Sequence, residues 1–299
     1  MGKIIVQKCP ACSSSKYEKV FTVSDSFIPN ESFDIVECND CSLRFTSPIP
    51  NEEIIGKYYK SDDYISHTGK GNSIINKIYR IVQYFTLRSK RKIVKQIAQK
   101  QNGTLMDIGC GTGEFLKTMK QSGWDIKGVE VNKEARKLAE VNTDSIIMNQ
   151  SEYFKSEQKY DVITLWHSLE HLHELEKYLN KISKSLNTNG VLIIAVPNYK
   201  SFDAEYYKHD WAAYDVPRHL YHFSFEAMMK LMKKFYFSLI EQQQLPLDPF
   251  YISLISEISV RHRKNAIQAI LVGWKSYWQG RRDFKKGSSI LYILKLKED

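Results

Sequence analysis

The stretch that decides the fold is "TLMDIGCGTGEFL", residues 104–116. A short apolar run ends in Asp107, and a helical pattern begins at Glu114. Three glycines lie between them at every second position: Gly109, Gly111 and Gly113. Glycines in a strand-to-helix turn allow a tight bend and a close approach of a ligand to the backbone, where exposed amides favour negative charge. A dinucleotide fingerprint would have its third glycine where this chain has Glu114, so the turn is not typical of NAD binding.

Two carboxylates indicate the kind of ligand that this turn would hold. Asp107 precedes the first glycine by two residues, a position that is unfavourable beside a pyrophosphate but suits the amino group of an amino acid. The following strand-like run, "WDIKGVEV", carries Glu130 near its end. A carboxylate at that strand end can accept hydrogen bonds from both hydroxyls of a ribose. The pair favours a ligand that joins an amino acid to a nucleoside; the alternatives are a turn cap for Asp107 and a surface acid for Glu130.

Strand-like and helix-like segments alternate through the middle of the chain. The strand-like runs are "TLMDIG", "WDIKGVEV", "DSIIM", "YDVITLW" and "VLIIAVPN". Apolar strands alternating with amphipathic helices predict an α/β fold, a doubly wound parallel sheet that binds ligands at the carboxyl ends of its strands. After Pro197 come an aromatic and histidine-rich loop, a helical run at 225–235, a strand-like run at 236–242 and a helical segment at 250–280. The alternation in "SSILYILKLK" (288–297) predicts a final strand.

The N-terminal segment carries four of the five cysteines in two close pairs. "CPAC" supplies Cys9 and Cys12, and "CNDC" supplies Cys38 and Cys41. Two C-x-x-C loops can complete a closed tetrahedral site of four thiolates, which is how structural zinc is held. The short β-type runs of residues 1–47 are too few to build a core without such a staple. We therefore predict a zinc-ribbon-like β unit, the alternative being four unrelated buried cysteines.

The predicted domains follow from these changes of pattern. Residues 1–47 form the four-cysteine zinc-binding unit, 48–101 a helical linker or lid, and 102–299 the ligand-binding core. Within the core, 198–224 is an acceptor loop, and about 246–287 is a helical insertion.

The motifs "DIGCGTG", "YDVITLWHSLEHL" and "GVLIIAVPN", together with Glu130, resemble those of class I S-adenosylmethionine (SAM)-dependent methyltransferases over roughly residues 103–245 and the terminal strand. The resemblance implies a Rossmann-like seven-stranded sheet whose antiparallel last strand is the final run. It implies that Asp107 and the turn from Gly109 through Cys110 and Gly111 to Gly113 hold the methionine part of SAM, and that Glu130 binds the ribose. Asn149 or Gln150 would contact the adenine, where many family members have an acid, and Trp166 and His167 would line the cofactor site.

Two further resemblances concern the rest of the chain. The four-cysteine unit is similar to the zinc-binding domain of sugar C-methyltransferases. "DVPRHLYHFS" and "YYKSDDYISH" are similar to stretches found in a broad group of bacterial small-molecule methyltransferases. These resemblances imply methyl transfer to oxygen or carbon of a small acceptor, carbohydrate or lipid-linked acceptors included.

A hydroxyl or acidic-carbon acceptor needs a base, and histidine is the best-suited residue type at neutral pH. We predict His219 or His222 as this base, with His167 as a further catalytic candidate. The acceptor would be bound by the anion-binding Arg218, by Asp215 and His171, and by Tyr64 and His67 of the lid.

"HSLEH" (167–171) also fits H-x-x-E-H, the inverzincin spacing, with both histidines predicted on one helix face. A zinc hydrolase is therefore a less favoured alternative function, since the site needs a third protein ligand.

The net charge of +9 is concentrated in local basic clusters. These clusters are also compatible with two alternative functions, a zinc-ribbon nucleic-acid-binding protein and an RNA methyltransferase. As a partner, a small-molecule acceptor is favoured over nucleic acid. Trp274, Tyr277 and Trp278 lie beside basic residues, so their segment either contacts a membrane surface or a lipid-linked acceptor, or is a plain packed helix. No apolar run approaches the length of a membrane span and no leader-like N-terminus is evident, so we expect a cytoplasmic protein, and the oligomeric state is not predicted.

Overall fold

The computed structural model describes residues 2–26, 31–59, 74–263 and 265–297. Tyr64 and His67, predicted to contact the acceptor, lie outside the described residues. Among the described residues, no helix combines the length and the apolar character needed to cross a bilayer.

The strands are numbered in chain order: β1 (Lys3–Ile4), β2 (Tyr17–Ser24), β3 (Ser32–Cys38), β4 (Arg44–Ser47), β5 (Ile49–Pro50), β6 (Thr104–Ile108), β7 (Asp125–Val129), β8 (Ile147–Met148), β9 (Tyr160–Trp166), β10 (Leu186–Pro197), β11 (Tyr221–His222), β12 (Phe237–Gln244) and β13 (Ser289–Leu296). The α-helices are α1 (Glu52–Ile55), α2 (Ile74–Ala98), α3 (Glu114–Lys120), α4 (Lys133–Thr143), α5 (Gln150–Lys155), α6 (Leu175–Ser185), α7 (Phe202–Tyr207), α8 (Phe225–Lys234), α9 (Asp248–Ile255) and α10 (Ala266–Arg282).

A seven-stranded sheet has the order β12-β13-β10-β9-β6-β7-β8. β6 pairs in parallel with both β7 and β9, and β7 pairs in parallel with β8. β9 is buried at six of its seven positions, because helices cover both faces of a parallel sheet. The predicted Rossmann-like doubly wound fold and its final strand are confirmed.

By its contacts the chain divides into two compact units. The cysteine unit comprises Met1–Ser61, Leu169–Glu176 and Ala195–Tyr292. The glycine-loop unit comprises Asp62–Ser168, Lys177–Ile194 and Ile293–Asp299. The predicted domain boundaries at residues 47 and 101 remain predictions. In the structure, the N-terminal residues share a unit with the acceptor loop.

Within the cysteine unit, a four-stranded sheet has the order β11-β4-β3-β2. Its edge strand β11 comes from the acceptor loop, with Tyr221 opposite Phe45 and His222 opposite Arg44. A buried cluster that includes Phe33, Tyr58 and Trp211 forms a core in the same unit. The sheet and this core join the N-terminal residues to the loop that was predicted to bind the acceptor.

The predicted helix through "HSLEH" is wrong in its first part. His167 has a left-handed φ of 54°, Leu169–His171 is a single 3₁₀ turn, and α6 begins only at Leu175. The carbonyl of Glu170 accepts the N–H of Leu220 at 2.8 Å. Since this carbonyl is used in a long-range hydrogen bond, the segment does not continue as a regular helix, and His167 and His171 do not share a helix face.

Candidate cofactor, zinc and acceptor sites

The glycine turn after β6 has the backbone that its sequence predicts. Gly109, Gly111 and Gly113 have φ angles of 75°, 55° and 80°, a left-handed region in which side chains are strained. A Cβ on Gly109 would lie 2.5 Å from Cβ of Ser168, whereas a Cβ on Gly111 would meet nothing within 4 Å. Gly109 is therefore required by packing, and Gly111 borders open space that a ligand can enter.

Asp107 lies at the end of β6 and is almost fully buried, with 3% of its surface exposed. The Thr164 hydroxyl donates a 2.6 Å hydrogen bond to its Oδ1. Burial raises the pKa of Asp107 to about 7, although the hydrogen bond from Thr164 opposes the shift. A buried carboxyl of this kind gains most from a cationic ligand group, because a neighbouring positive charge stabilises its ionised form.

Glu130 follows β7 and holds the glycine turn in place. Its Oε2 accepts the Gly111 N–H at 2.9 Å, and its Oε1 accepts the Asn132 N–H at 2.8 Å. Burial raises the pKa of Glu130, while these backbone hydrogen bonds lower it. Each carboxylate oxygen can accept a second hydrogen bond, so the group that fixes the turn can also bind a ligand hydroxyl.

The other predicted cofactor residues follow the neighbouring strands. Trp166 ends β9 and packs edge-on against Phe115, with the ammonium of Lys90 4.6 Å from the centre of its ring. Its buried indole N–H has no hydrogen-bond acceptor among the described residues. Cys110, between Gly109 and Gly111, is buried, and burial raises the pKa of its thiol, which disfavours the nucleophilic thiolate.

Asn149 and Gln150, predicted near the adenine, begin α5. The Asn149 side chain accepts the Glu152 N–H, and the Glu152 carboxylate accepts the Asn149 N–H, which together form a capping box. This hydrogen bond uses the Asn149 side-chain oxygen, and the adenine contact of Asn149 or Gln150 stays a prediction.

These features fit SAM. The open space at Gly111 and the unmatched Trp166 N–H leave room and a donor for a bound group, and Asp107 can receive an ammonium. The cofactor-binding assignments of the individual residues stay predictions.

The two cysteine pairs fold into matching turns. Ser13 donates its N–H to the Cys9 carbonyl at 2.7 Å, and Ser42 donates its N–H to the Cys38 carbonyl at 2.9 Å. Both serines have left-handed φ angles, 63° for Ser13 and 57° for Ser42. The two C-x-x-C loops thus have the same hydrogen-bond pattern and present their sulfurs in the same way.

The four sulfurs converge on one point. Cys9 Sγ lies 3.5 Å from Cys41 Sγ, Cys12 Sγ lies 3.5 Å from Cys38 Sγ, and all four lie within 4.8 Å of one another. A disulfide would need about 2.05 Å, whereas sulfurs around a tetrahedral zinc lie about 3.8 Å apart. The hydrogen bond from the Cys41 thiol lowers the pKa of Cys9 to about 5, which favours a thiolate. The four cysteines therefore fit a zinc ion.

Within the cysteine unit, His171 and His219 lie side by side, with their ring centres 4.6 Å apart. Nδ1 of His171 lies 2.9 Å from the Arg218 carbonyl, and Nδ1 of His219 lies 2.8 Å from the Ala213 carbonyl. A carbonyl only accepts, so Nδ1 of His219 donates in its contact with Ala213, and Nε2 is left as the other ring nitrogen. Nδ1 of His171 also lies 3.0 Å from the Tyr59 hydroxyl, which can either donate or accept. Burial, with a smaller contribution from His219, lowers the pKa of His171 to about 4.

His222, the other predicted base, is enclosed. Its side chain is 3% exposed, and its Nε2 lies 3.2 Å from the Thr46 hydroxyl. Burial lowers the pKa of His222 well below its usual value. His219 keeps 12% of its side chain exposed, so it is more accessible to an acceptor than His222.

Arg218 is buried between two acids. Its Nη2 lies 3.0 Å from Asp25 Oδ1 and 2.7 Å from Asp215 Oδ1, and its side chain has no exposed surface. Burial alone would raise the pKa of Asp215, but the Arg218 guanidinium holds it below its usual range. These ion pairs give Arg218 a structural role in the loop; its predicted role as an anion binder stays a prediction.

A second group of possible metal ligands consists of Glu170, His171 and His219, whose ligand atoms lie within 4.8 Å of one another. The groupings found among the described residues are this one and the four cysteines, and His167 of the hydrolase alternative is in neither. Sequence reasoning did not assign Glu170, although it stands inside "HSLEH", and it missed Thr164, Ser168 and Asp25. Those three carry no motif and are identified only by the atoms that they contact.

Comparison with known proteins identifies the family of the chain. A family profile described as a methyltransferase domain matches residues 80–242, more than half of the chain. The ubiquinone biosynthesis O-methyltransferase of Pelagibacter ubique is 28% identical over 173 residues, which cover 51% of this chain and 70% of that protein. The protein of the same name from Actinobacillus pleuropneumoniae serotype 5b is 33% identical over 118 residues, 34% of this chain and 50% of its own length.

Among solved structures, magnesium protoporphyrin IX methyltransferase from Synechocystis with bound S-adenosylhomocysteine superposes with a TM-score of 0.55. The two chains are 13% identical, and the match covers 83% of this chain and 100% of that one, so the likeness concerns the fold alone. The family match rests on the segment that carries the glycine turn, Asp107 and Glu130. This chain belongs to the methyltransferase-domain family and is a class I SAM-dependent methyltransferase.

Proposed function

We propose that the protein transfers the methyl group of SAM to a hydroxyl oxygen of a small acceptor, with His219 as the base. The observation that carries the proposal is the 2.8 Å contact between Nδ1 of His219 and the Ala213 carbonyl, in which Nδ1 donates, so that Nε2 of the neutral ring would accept a proton. Oxygen is favoured over carbon because the named relatives from Pelagibacter and Actinobacillus are O-methyltransferases.

Bound SAM supplies an electrophilic methyl group on a sulfonium. Asp107 would receive the ammonium of its methionine part, and Glu130 would accept its ribose hydroxyls while holding the Gly111 amide. Methyl transfer to oxygen is an in-line displacement, so these residues contribute mainly by orienting the reacting atoms.

The acceptor hydroxyl loses its proton as the methyl group arrives. Nε2 of His219 would take this proton, and the Ala213 carbonyl would keep the ring oriented during the transfer. The ring of His171 holds a proton only weakly, because burial lowers its pKa to about 4. The proposed acceptors include carbohydrates and lipid-linked compounds. A zinc ion held by the four cysteines would stabilise the unit that carries His219.

The test is radiolabelled methyl transfer from SAM to a panel of sugars, sugar nucleotides and phenols, with purified wild-type protein and His219→Ala. We expect the variant to lose about 10²- to 10⁴-fold in turnover, as for loss of a general base. The SAM dissociation constant, measured by calorimetry, should stay at the wild-type value.

His209→Ala is the matched control, since the His209 side chain is 62% exposed. The double variant His219→Ala/His222→Ala covers the case in which His222 substitutes as base. Wild-type turnover in both His219 variants would overturn the base assignment, and label that appears only in C-methylated product would overturn the oxygen acceptor.

A further inference from the structure

The second half of the cysteine unit carries a face of large apolar side chains that are exposed. Ile267 is 74% exposed and Trp274 is 57% exposed. This face, called the Trp274 face below, consists of exposed apolar residues of α10: Ile267, Ile270, Leu271, Trp274 and Trp278. Leu254 of α9 and Ile258 of the turn that follows it are exposed as well. The members of the Trp274 face recur at three- and four-residue steps, so they form one stripe along the helix.

The pattern of buried side chains on α10 is opposite to that of an ordinary amphipathic helix, which buries its large apolar residues. The buried positions of α10 are mostly small residues: Ala269, Val272, Gly273, Ser276 and Gly280. A Cβ on Gly273 would lie 2.9 Å from Cα of Phe250, so α10 packs closely against α9 through this side. The bulky apolar side chains are left on the outer side, where water contact is unfavourable.

A buried hydrogen-bond network fixes the orientation of α10. The Ser276 hydroxyl donates to Asp203 Oδ1 at 2.5 Å, and the Trp211 indole N–H donates to Asp203 Oδ2 at 2.8 Å. Asp203 itself has no exposed surface. Rolling α10 to bury Trp274 would break the hydrogen bond from Ser276 to the buried Asp203, so the exposure of the stripe is built into the unit.

Positive charge surrounds the Trp274 face. Residues 248–283 contain six lysines and arginines and three acids, Asp248, Glu257 and Asp283, of which Glu257 is buried and lies 3.6 Å from Arg261. The exposed cations Arg263, Lys275, Arg281 and Arg282 form no ion pair with any described residue. Apolar side chains, two of them tryptophans, within a basic border are what a membrane surface with anionic lipids attracts.

We propose that the Trp274 face docks the protein on an anionic phospholipid bilayer, with the tryptophans at the headgroup level and the cations on lipid phosphates. A second copy of the chain is a poorer occupant, since a two-fold contact would place the same positive borders against each other. Docking in this way would bring the acceptor loop, which carries Asp203 and Trp211, to a membrane-associated acceptor.

The test is cosedimentation of the full-length protein with vesicles of phosphatidylcholine alone or mixed with phosphatidylglycerol. We expect binding to the mixed vesicles, weakened by salt, and a blue shift of tryptophan fluorescence. Ile270→Ser/Trp274→Ser should abolish binding, and Arg281→Glu/Arg282→Glu should weaken it by about tenfold or more.

The matched controls are changes on exposed positions elsewhere: Val141→Ser/Ile146→Ser for the apolar pair and Lys133→Glu/Lys137→Glu for the charges. Binding that all four variants retain would overturn the proposal. Self-association in sedimentation velocity that only the Ile270/Trp274 variant loses would assign the face to a second copy. Binding of single-stranded RNA without vesicle binding would assign the Trp274 face to nucleic acid. Either this RNA binding or the self-association would overturn membrane docking.

Discussion

The guanidinium of Arg218 lies 3.0 Å from the carboxylate of Asp25, and neither side chain has any exposed surface. The two residues are far apart in sequence, one beside the N-terminal strands and the other in the loop before β11. A second acid, Asp215, lies 2.7 Å from the same guanidinium. The ion pair therefore fixes the backbone carbonyl of Arg218 that orients the His171 ring.

Arg218→Met should destabilise the protein by about 3–5 kcal/mol, because it leaves buried acids without their counter-charge. Chemical denaturation measures the loss. Arg282→Met, at an exposed position, should change stability little. Arg218→Met combined with Asp25→Leu should cost less than the sum of the single changes; additive losses would contradict a coupled pair.

The buried carboxyl of Asp107 should make SAM affinity depend on pH. Its pKa of about 7 is raised above that of the unfolded chain, so the folded protein binds the extra proton and its stability falls as pH rises from about 4 to about 7. SAM should bind the ionised form, so affinity should increase about fivefold between about pH 6 and about pH 7. Calorimetry in buffers of different ionisation enthalpy measures the released proton.

Asp107→Asn should remove this pH dependence together with most of the affinity. Asp125→Asn, a change at the exposed start of β7, is the control. A pH dependence that survives in Asp107→Asn would assign the titration to another group.

Zinc should be bound by the cysteines and not by "HSLEH". Metal analysis of the purified protein should give one zinc per chain, lost in Cys38→Ser and kept in Cys110→Ser, since Cys110 lies outside the four-sulfur cluster. His171→Ala should also keep the zinc. Zinc lost from His171→Ala but retained in Cys38→Ser would favour the hydrolase alternative instead.

The glycine turn and the parallel strands were predictable because their signals are local. Gly109, Gly111 and Gly113 have the left-handed φ angles that a tight turn requires, and β9 is as apolar as a strand buried on both faces must be. Helix α5 was missed, although Asn149 and Glu152 have the spacing of a capping box, because the run behind them is short and polar.

The structural features that could not be predicted depend on contacts between segments that are distant in sequence. "HSLEH" has helical spacing, yet the carbonyl of Glu170 bonds to Leu220, and the predicted helix is replaced there by a 3₁₀ turn. The pairing of Tyr221 with Phe45 likewise depends on a register that no local pattern encodes. His171 and His219 each contact a backbone carbonyl, which any residue supplies, so these contacts could be identified only from the structure.

Two glycines of the turn should respond differently to alanine. Gly109→Ala should destabilise the fold by several kcal/mol, because the new Cβ would lie 2.5 Å from Cβ of Ser168 in addition to the strain of a left-handed φ. Gly111→Ala meets nothing within 4 Å and should cost only the strain, about 1–2 kcal/mol, while weakening SAM binding by filling the cofactor's space.

Denaturation and SAM titration of both variants separate the two effects. Gly56→Ala is the control, since it lies outside the turn and its Cβ also meets nothing within 4 Å. Wild-type SAM affinity in Gly111→Ala would show that the open space beside this glycine does not belong to the cofactor site. Because Glu130 holds the Gly111 amide, a Glu130→Gln variant that weakens SAM binding as much as Gly111→Ala would place both residues at the same ligand.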